Sequence, residues 1–252
     1  MRANYYVLIL AAVVASTSLF MYKQAQGRRR GISVIHAATV TYSRLFYGAD
    51  GARAPGAALT EILGVRSDGS SSRARLVPAI TGSSQVYNLR ITDTAKSLHV
   101  VVDQLTKSKT TYPDPNIVAE YTIKAVNSCP GSESDVMLGH KTFLSDRTVG
   151  EAGSSNIRII REWRAPDLNC LPLRQEQWSA GTSGSRVLSM LLVASQVADG
   201  EPPSWMFSIP TDFTERSPGE MLAESARVRQ EASPGVADSL ERAYLAANSA
   251  QK

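Results

Sequence analysis

The three histidines are the first residues to consider for chemistry, because imidazole is a common metal ligand and general base. His36, His99 and His140 lie far apart, each in a stretch typical of a β-strand. None belongs to an H-E-x-x-H, C-x-x-C or His-x-His pattern, which would bring metal ligands together at short spacing. The sequence therefore predicts no metal site and no cofactor.

Nucleophilic catalysis has no local signature either. The chain has no G-x-S-x-G turn, and its one S-x-x-K stretch, Ser249 to Lys252, is the C-terminus. The "GTSGS" segment from Gly181 to Ser185 lacks the lysine and helix that follow a phosphate-binding loop. No catalytic residue is assigned. A hydrolase whose site is assembled from distant residues, for example around His99 or His140, is the alternative function.

The chain has two cysteines, Cys129 and Cys170. In an oxidising compartment they would form one disulfide that closes a loop of about 40 residues, contributing roughly 4 kcal/mol in the chain-entropy model. Two separate, half-buried thiols explain the sequence equally well. The pairing is left open at this point.

Aromatic residues are concentrated in "GHKTFL", "REWRAPDLNCLPL" and "DGEPPSWMFSIPTDF". Their apolar side chains would line a groove for an apolar or lipid-like ligand. Packing in an ordinary core is the alternative interpretation, because tryptophans in strands are mostly buried. The candidate groove residues are Phe143, Trp163, Leu168, Trp205 and Phe207.

The elements that position these residues are mostly short β-strands. Ser33 to Gly48 mixes β-branched and aromatic residues with partial alternation, and Asp68-Gly69 between two extended runs predicts a hairpin. Further strand-like runs follow at intervals of about ten to fifteen residues until Gly200. The pattern predicts a meandering antiparallel sheet.

The residue pattern of the sequence changes after Gly200. Prolines at 202, 203 and 210 allow at most an edge strand. The sequence Ser217-Pro218-Gly219-Glu220 is a capping box with proline at the first helical position, which predicts a helix to about Gln230. Ser233-Pro234 predicts a second helix, so residues 216–252 form a helical tail.

The N-terminus predicts a membrane segment. Tyr5 to Tyr22 contains 18 residues without a charge, close to the roughly 20 that a helix needs to span a bilayer. A cut after Ala25-Gln26-Gly27 would fit a cleaved signal peptide. Lys23, which lies between the apolar run and that cut, favours an uncleaved anchor.

The basic charge is confined to this N-terminal segment. Five of the 27 lysines and arginines lie in the first 30 residues, which contain no acid, so 22 basic residues face 23 acidic ones in the remaining chain. The body has no basic field for phosphates of a nucleic acid, and we expect no nucleic-acid partner.

The charge pattern leaves the orientation open. The positive-inside rule, applied literally, places the body in the cytoplasm. The very short segment before Tyr5 and the two cysteines favour export instead. We expect the body on the extracytoplasmic, periplasmic side, with a cytoplasmic-facing anchor as the alternative.

Three segments resemble, in their order and residue pattern, those of a family of exported bacterial proteins. They are Gly139 to Thr142, Glu162 to Leu168 and Gly200 to Pro210. They are similar to incomplete-barrel envelope proteins of the outer-membrane lipoprotein carrier type. The resemblance spans about Ser33 to Phe213. It implies a curved antiparallel sheet that wraps an apolar cavity.

The fold class predicted is mainly β (α+β): a curved antiparallel sheet or incomplete β-barrel, with an N-terminal membrane helix and one or two short C-terminal helices. The predicted domains are an anchor (1–30), a β domain (31–215) and the helical tail (216–252). The predicted function is a non-enzymatic binding or envelope-structural module, bound to the membrane through residues 5–22.

Overall fold

The computed structural model describes residues 34–78, 84–126, 128–150, 157–180 and 185–231. The predicted membrane segment, Tyr5 to Tyr22, and the second tail helix after Ser233 lie outside these residues. Within the described ranges, no helix is both long enough and apolar enough to cross a membrane.

The mainly β prediction is confirmed, because the described strands form one open, curved sheet. The strands are β1 Ala38–Tyr47, β2 Arg53–Val65, β3 Ser71–Pro78, β4 Ser84–Asp93, β5 Leu98–Asp103, β6 Ser108–Tyr112, β7 Ser132–Met137, β8 His140–Val149, β9 Arg158–Ala165, β10 Leu171–Ala180, β11 Arg186–Asp199 and β12 Thr214–Glu215. Their order in the sheet is β12-β6-β5-β4-β3-β2-β1-β11-β10-β9-β8-β7, with all neighbours antiparallel except β12 and β6.

The sheet consists of two meanders that meet at β1 and β11. Strands β1 to β6 follow one another in space as in sequence, and so do β7 to β11. The predicted hairpin at Asp68-Gly69 joins β2 to β3, where the Arg66 amide donates to the Ser70 carbonyl at 2.9 Å. Gly69 has a φ of +86°, a conformation that glycine adopts without strain.

Two α-helices accompany the sheet in the described part of the chain. Helix α1, Pro115–Tyr121, begins after Asp114, whose carboxylate accepts from the Asn116 amide at 2.8 Å. It was not predicted, because its seven residues are too few to show a clear helical period. Helix α2, Pro218–Glu231, confirms the predicted capping box: the Glu220 amide donates to Ser217 Oγ at 3.3 Å, and Glu220 accepts from the Ser217 amide at 2.8 Å.

Among the described residues, apolar side chains form two buried clusters. The first cluster joins β1, β2 and β11 to the turn between β9 and β10, and the second joins β3, β4 and β5. The segment after β11 packs on the second cluster through Phe207, Ile209 and Phe213. The first cluster contains Ala38, Val40, Tyr42, Phe46, Leu59, Leu63, Val65, Ala165, Leu168, Leu171, Leu173, Met190, Leu192 and Ala194; the second contains Ala74, Leu89, Ile91, Val100 and Val102.

The connection from β6 to β7 joins one side of the sheet to the opposite edge, and we call residues 113–131 the crossing segment. It is fixed to the sheet where Ser71 Oγ donates to the Tyr121 carbonyl at 3.0 Å and the Ile123 amide donates to the Gly69 carbonyl at 3.1 Å. A disulfide between Cys129 and Cys170 ties its far end to the turn between β9 and β10. The pairing left open by the sequence is therefore formed.

Candidate anion-binding site

Four arginines gather around one glutamate on one face of the sheet. Side chains at paired positions of antiparallel strands lie on the same face. Glu61 of β2 is paired with Tyr42 of β1 and with Arg75 of β3. The side chains of these three residues therefore lie on the same face of the sheet. We call this surface the arginine face; its cluster consists of Arg44, Glu61, Arg73, Arg75 and Arg90.

Glu61 is almost completely buried, with 1% of its surface exposed. Its Oε1 accepts from Arg75 Nε at 3.1 Å, and its Oε2 accepts from Arg44 Nη2 at 3.0 Å. Arg73 Nη1 lies 3.6 Å from the same Oε2. Both oxygens of the carboxylate are therefore occupied by guanidinium groups.

The cluster has more positive than negative charge. Arg90, on β4, forms no ion pair with any residue that the structure describes, yet it adds a fourth guanidinium beside the three that contact Glu61. Burial lowers the pKa of Arg90, and the positive charge of Arg75 lowers it further by a smaller amount. Burial also lowers the pKa of Arg44 to about 10, although Glu61 opposes the shift. One carboxylate against four guanidiniums leaves an excess of three positive charges.

Three buried hydrogen-bond donors of the arginine face lack an acceptor among the described residues: the Tyr42 hydroxyl, Arg44 Nε and Arg90 Nε. Buried polar groups are normally hydrogen-bonded, since an unsatisfied one costs about 1–3 kcal/mol. Burial raises the pKa of Tyr42, so its hydroxyl stays neutral and able to donate. The site thus combines excess positive charge with unused donors, which is the chemistry that binds an anion.

The cluster is accessible from the β3 side. The Arg73 side chain is 40% exposed and the Arg75 side chain 21% exposed, whereas the Arg44 side chain is 14% exposed. A ligand would therefore meet Arg73 and Arg75 first and the buried donors behind them. Arginine suits this role because its planar fork of N–H groups pairs with oxyanions.

A buried histidine lies next to this cluster on the same face. His99 stacks on Tyr121 at 4.6 Å between ring centroids and packs at a tilt against Tyr112 at 5.9 Å. Its Nδ1 is 2.9 Å from Thr92 Oγ1. Burial lowers the pKa of His99, and the positive charge of Arg90 lowers it further by a smaller amount. The neutral ring thus helps to hold α1 against the sheet.

The other two histidines form pairs with aspartates at chain turns. His36 Nε2 lies 3.1 Å from Asp199 Oδ1, and His140 Nδ1 lies 2.8 Å from Asp167 Oδ2. Neither imidazole has a hydrogen bond to a hydroxyl group in the described part of the chain. Likewise, the described residues contain no group of three or more His, Cys, Asp or Glu side chains that would hold a metal.

The predicted groove residues occupy several places. Leu168 belongs to the first cluster and Phe207 packs on the second, so the structure does not bring these two together. Trp163 lies under the Arg174 guanidinium, 4.7 Å from it, and Trp205 is 43% exposed. Phe143 is paired with Arg164 between β8 and β9. An apolar ligand stays a prediction.

The arginine cluster was missed by sequence reasoning, although one local signal for it exists. Arg73-Ala74-Arg75 alternates within a predicted strand, which places both arginines on one face and the buried Ala74 on the other. Nothing local connects this pair to Arg44, Glu61 or Arg90, since only the register of four strands brings them together.

The chain matches no protein-family model and no curated protein sequence. Among solved structures it is similar to PNGF-II in two crystal forms, each with a TM-score of 0.47 and 15% sequence identity. The similarity covers 77% of this chain but 34% and 33% of the two PNGF-II chains, so the protein spans about a third of their length. No family is established by these similarities.

Proposed function

We propose that this protein is a non-enzymatic binding module that holds an anionic ligand in the arginine cluster. The observation that supports this most directly is the excess of three positive charges around the buried Glu61. Charges held this close repel one another, and an anion that enters removes the repulsion. Binding therefore stabilises the folded protein.

The proposed site lies on the extracytoplasmic side of a membrane, to which residues 5–22 attach the chain. The Cys129–Cys170 disulfide is compatible with that location, because disulfides persist in oxidising compartments. An incomplete barrel of the lipoprotein-carrier type is the finer fold that we propose, supported by the open, curved sheet. A sheet of this kind is also compatible with a ligand that has an apolar portion.

Arg90→Gln is the most informative variant for testing the anion site. Arg90 has no ion-pair partner among the described residues, so its removal breaks no bond and relieves repulsion. We expect the free energy of unfolding without added anion to be no lower than in the wild type. Phosphate affinity, measured by calorimetry on the full chain, should fall about tenfold or more, because hydrogen bonds to charged groups contribute about 1.5–3 kcal/mol.

Arg161→Gln is the matched control. It removes the same charge, but Arg161 pairs with Asp146 at 2.9 Å on the opposite face of the sheet. Its phosphate affinity should equal that of the wild type. If the wild type bound neither phosphate, sulfate nor acetate, or if both variants lost affinity equally, the proposed anion site would be wrong.

The proposed location has its own test. Alkaline phosphatase, which is active only after export, would be fused after Arg30 in one protein and after Lys252 in another. We expect phosphatase activity from both fusions. Inactivity of both, with stable fusion proteins, would place the body in the cytoplasm.

A further inference from the structure

The unpartnered donors of the arginine face carry information about the shape of the bound group. The Tyr42 hydroxyl and Arg44 Nε belong to β1, and Arg90 Nε belongs to β4. Tyr42 is 2% exposed, and its hydroxyl has no hydrogen-bond partner among the described residues. The two Nε–H groups can only donate, whereas the tyrosine hydroxyl can both donate and accept. Each of the three needs an oxygen acceptor for the proton that it donates.

None of the described acceptors of the cluster forms a hydrogen bond with these three donors. The two oxygens of Glu61 already accept from Arg75 and Arg44, and Arg73 lies close to the second. Glu162, on β9, accepts from Arg164 through two N–H groups at 3.1 and 2.7 Å. A molecule bound at the cluster would supply the acceptors that the described residues do not give to the Tyr42 hydroxyl, Arg44 Nε and Arg90 Nε.

We infer that the bound group is a tetrahedral oxyanion, a phosphate or a sulfate, and that Tyr42 is the residue that distinguishes it from a carboxylate. This inference rests on the proposed anion site and specifies its ligand class. The arginines supply charge for either kind of anion, whereas the tyrosine hydroxyl adds a donor from a separate direction.

The arrangement of charges around Tyr42 supports a three-dimensional acceptor. The charges of Arg73 on β3, of Glu61 on β2 and, most weakly, of Arg164 on β9 act on Tyr42, although β11 and β10 lie between β1 and β9 in the sheet. In the strand order, Arg73 and Arg164 lie on opposite sides of Tyr42, and the carboxylate of Glu61 is paired with it. A carboxylate presents two oxygens in one plane and is matched by a single guanidinium fork. A phosphate or sulfate group presents at least three oxygens in different directions.

The test compares anions of equal charge and different shape. Methanesulfonate and acetate each carry one negative charge, but the sulfonate has three oxygens in a tetrahedral arrangement. Calorimetry on the full chain at constant ionic strength should show tighter binding of methanesulfonate than of acetate, with inorganic phosphate and sulfate tighter still. A short-chain phosphatidic acid forms a further arm: tighter binding than inorganic phosphate indicates a lipid headgroup, and equal binding indicates the free anion.

Tyr42→Phe removes only the hydroxyl group. Because that hydroxyl has no partner in the described structure, the variant should fold with undiminished stability. We expect its affinity for phosphate and methanesulfonate to fall about tenfold, as for one hydrogen bond to a charged group, and its affinity for acetate to stay the same. Tyr47→Phe, on the same strand, should bind every anion as the wild type does.

The inference and the proposed function fail in different ways. If the wild type binds acetate as tightly as methanesulfonate, or if Tyr42→Phe weakens both equally, the tetrahedral class is wrong while the anion site stands. If no anion binds to the wild type, the anion site itself is wrong.

Discussion

Glu61 is the residue on which the charge balance of the arginine face depends. Burying a carboxylate among arginines costs several kcal/mol of desolvation, and the cost is offset only while the opposite charges remain together. Removing the one negative charge leaves the guanidiniums of Arg44, Arg73 and Arg75 without a counterion. The same loss should strengthen the attraction of the cluster for an anion.

We therefore expect Glu61→Gln to lower the free energy of unfolding by about 3–5 kcal/mol, as for other broken buried ion pairs. Urea denaturation with and without phosphate measures this, and phosphate should stabilise the variant more than the wild type. Glu133→Gln is the control, since Glu133 forms an exposed pair with Lys141 at 3.2 Å and should change stability by less than about 1 kcal/mol. Equal effects of the two substitutions would contradict the importance of Glu61.

His99 makes folding sensitive to acid. Its neutral ring is enclosed by Tyr112 and Tyr121, and the charged group facing it is Arg90, so the lowered pKa means that the folded state resists protonation. The unfolded chain binds that proton more readily, near the ordinary pKa of 6.5. The stability contributed by the neutral ring is thus present above about pH 6.5 and is lost as the pH falls further.

The measurement is the free energy of unfolding between pH 7.5 and 5. His99→Phe, which keeps an aromatic ring against Tyr121, should show a smaller loss of stability over this range than the wild type. His36→Gln, which removes an exposed imidazole, should retain the wild-type slope. An identical slope in His99→Phe would mean that His99 does not account for the acid sensitivity.

At the level of elements, the hairpin between β2 and β3 also anchors the crossing segment. A Cβ added at Gly69 would lie 2.7 Å from the Ile123 carbonyl oxygen, and Gly69 has a φ of +86°. Gly51 has a similar φ of +78° but no atom within 4 Å of an added Cβ. Comparison of the two positions therefore separates backbone strain from contact with the crossing segment.

We expect Gly51→Ala to cost about 1–2 kcal/mol from backbone strain alone, and Gly69→Ala to cost at least about 1 kcal/mol more. Chemical denaturation gives both values. Hydrogen exchange at the Ile123 amide, which donates to Gly69, should accelerate only in Gly69→Ala. Equal costs and unchanged exchange would show that the hairpin does not hold the segment.

At the scale of the whole molecule, the disulfide ties the end of the crossing segment, just before β7, to the turn between β9 and β10. Cys129 follows β6 and α1, whereas Cys170 lies between β9 and β10, and 41 positions separate them. A cross-link over this distance removes conformational freedom from the unfolded chain, which corresponds to about 4 kcal/mol in the entropy model.

Replacing both cysteines by alanine should therefore lower the free energy of unfolding by about 4 kcal/mol, and reduction of the wild type should have a similar effect. Denaturation of oxidised and reduced protein measures the difference. Reduced wild type as stable as the oxidised protein would show that the disulfide contributes little. Mass spectrometry under non-reducing conditions confirms the state of the thiols in each sample.

The sequence by itself determined the elements whose signals are local. Alternating β-branched residues specified a mainly β domain, Asp68-Gly69 specified a hairpin, and Ser217 to Glu220 specified the start of α2. Each signal depends on residues within a few positions of one another. Helix α1 was missed because its seven residues are too few to show a clear helical period.

Only the tertiary structure decided the arginine cluster and the disulfide. The arginines come from β1, β3 and β4 and meet Glu61 of β2, a juxtaposition set by the register of antiparallel strands. A shift of one residue in any pairing would turn the side chains to the other face. Register depends on turns, bulges and packing along the whole sheet, so the nearly balanced charge of the chain beyond Arg30 concealed a strongly positive site.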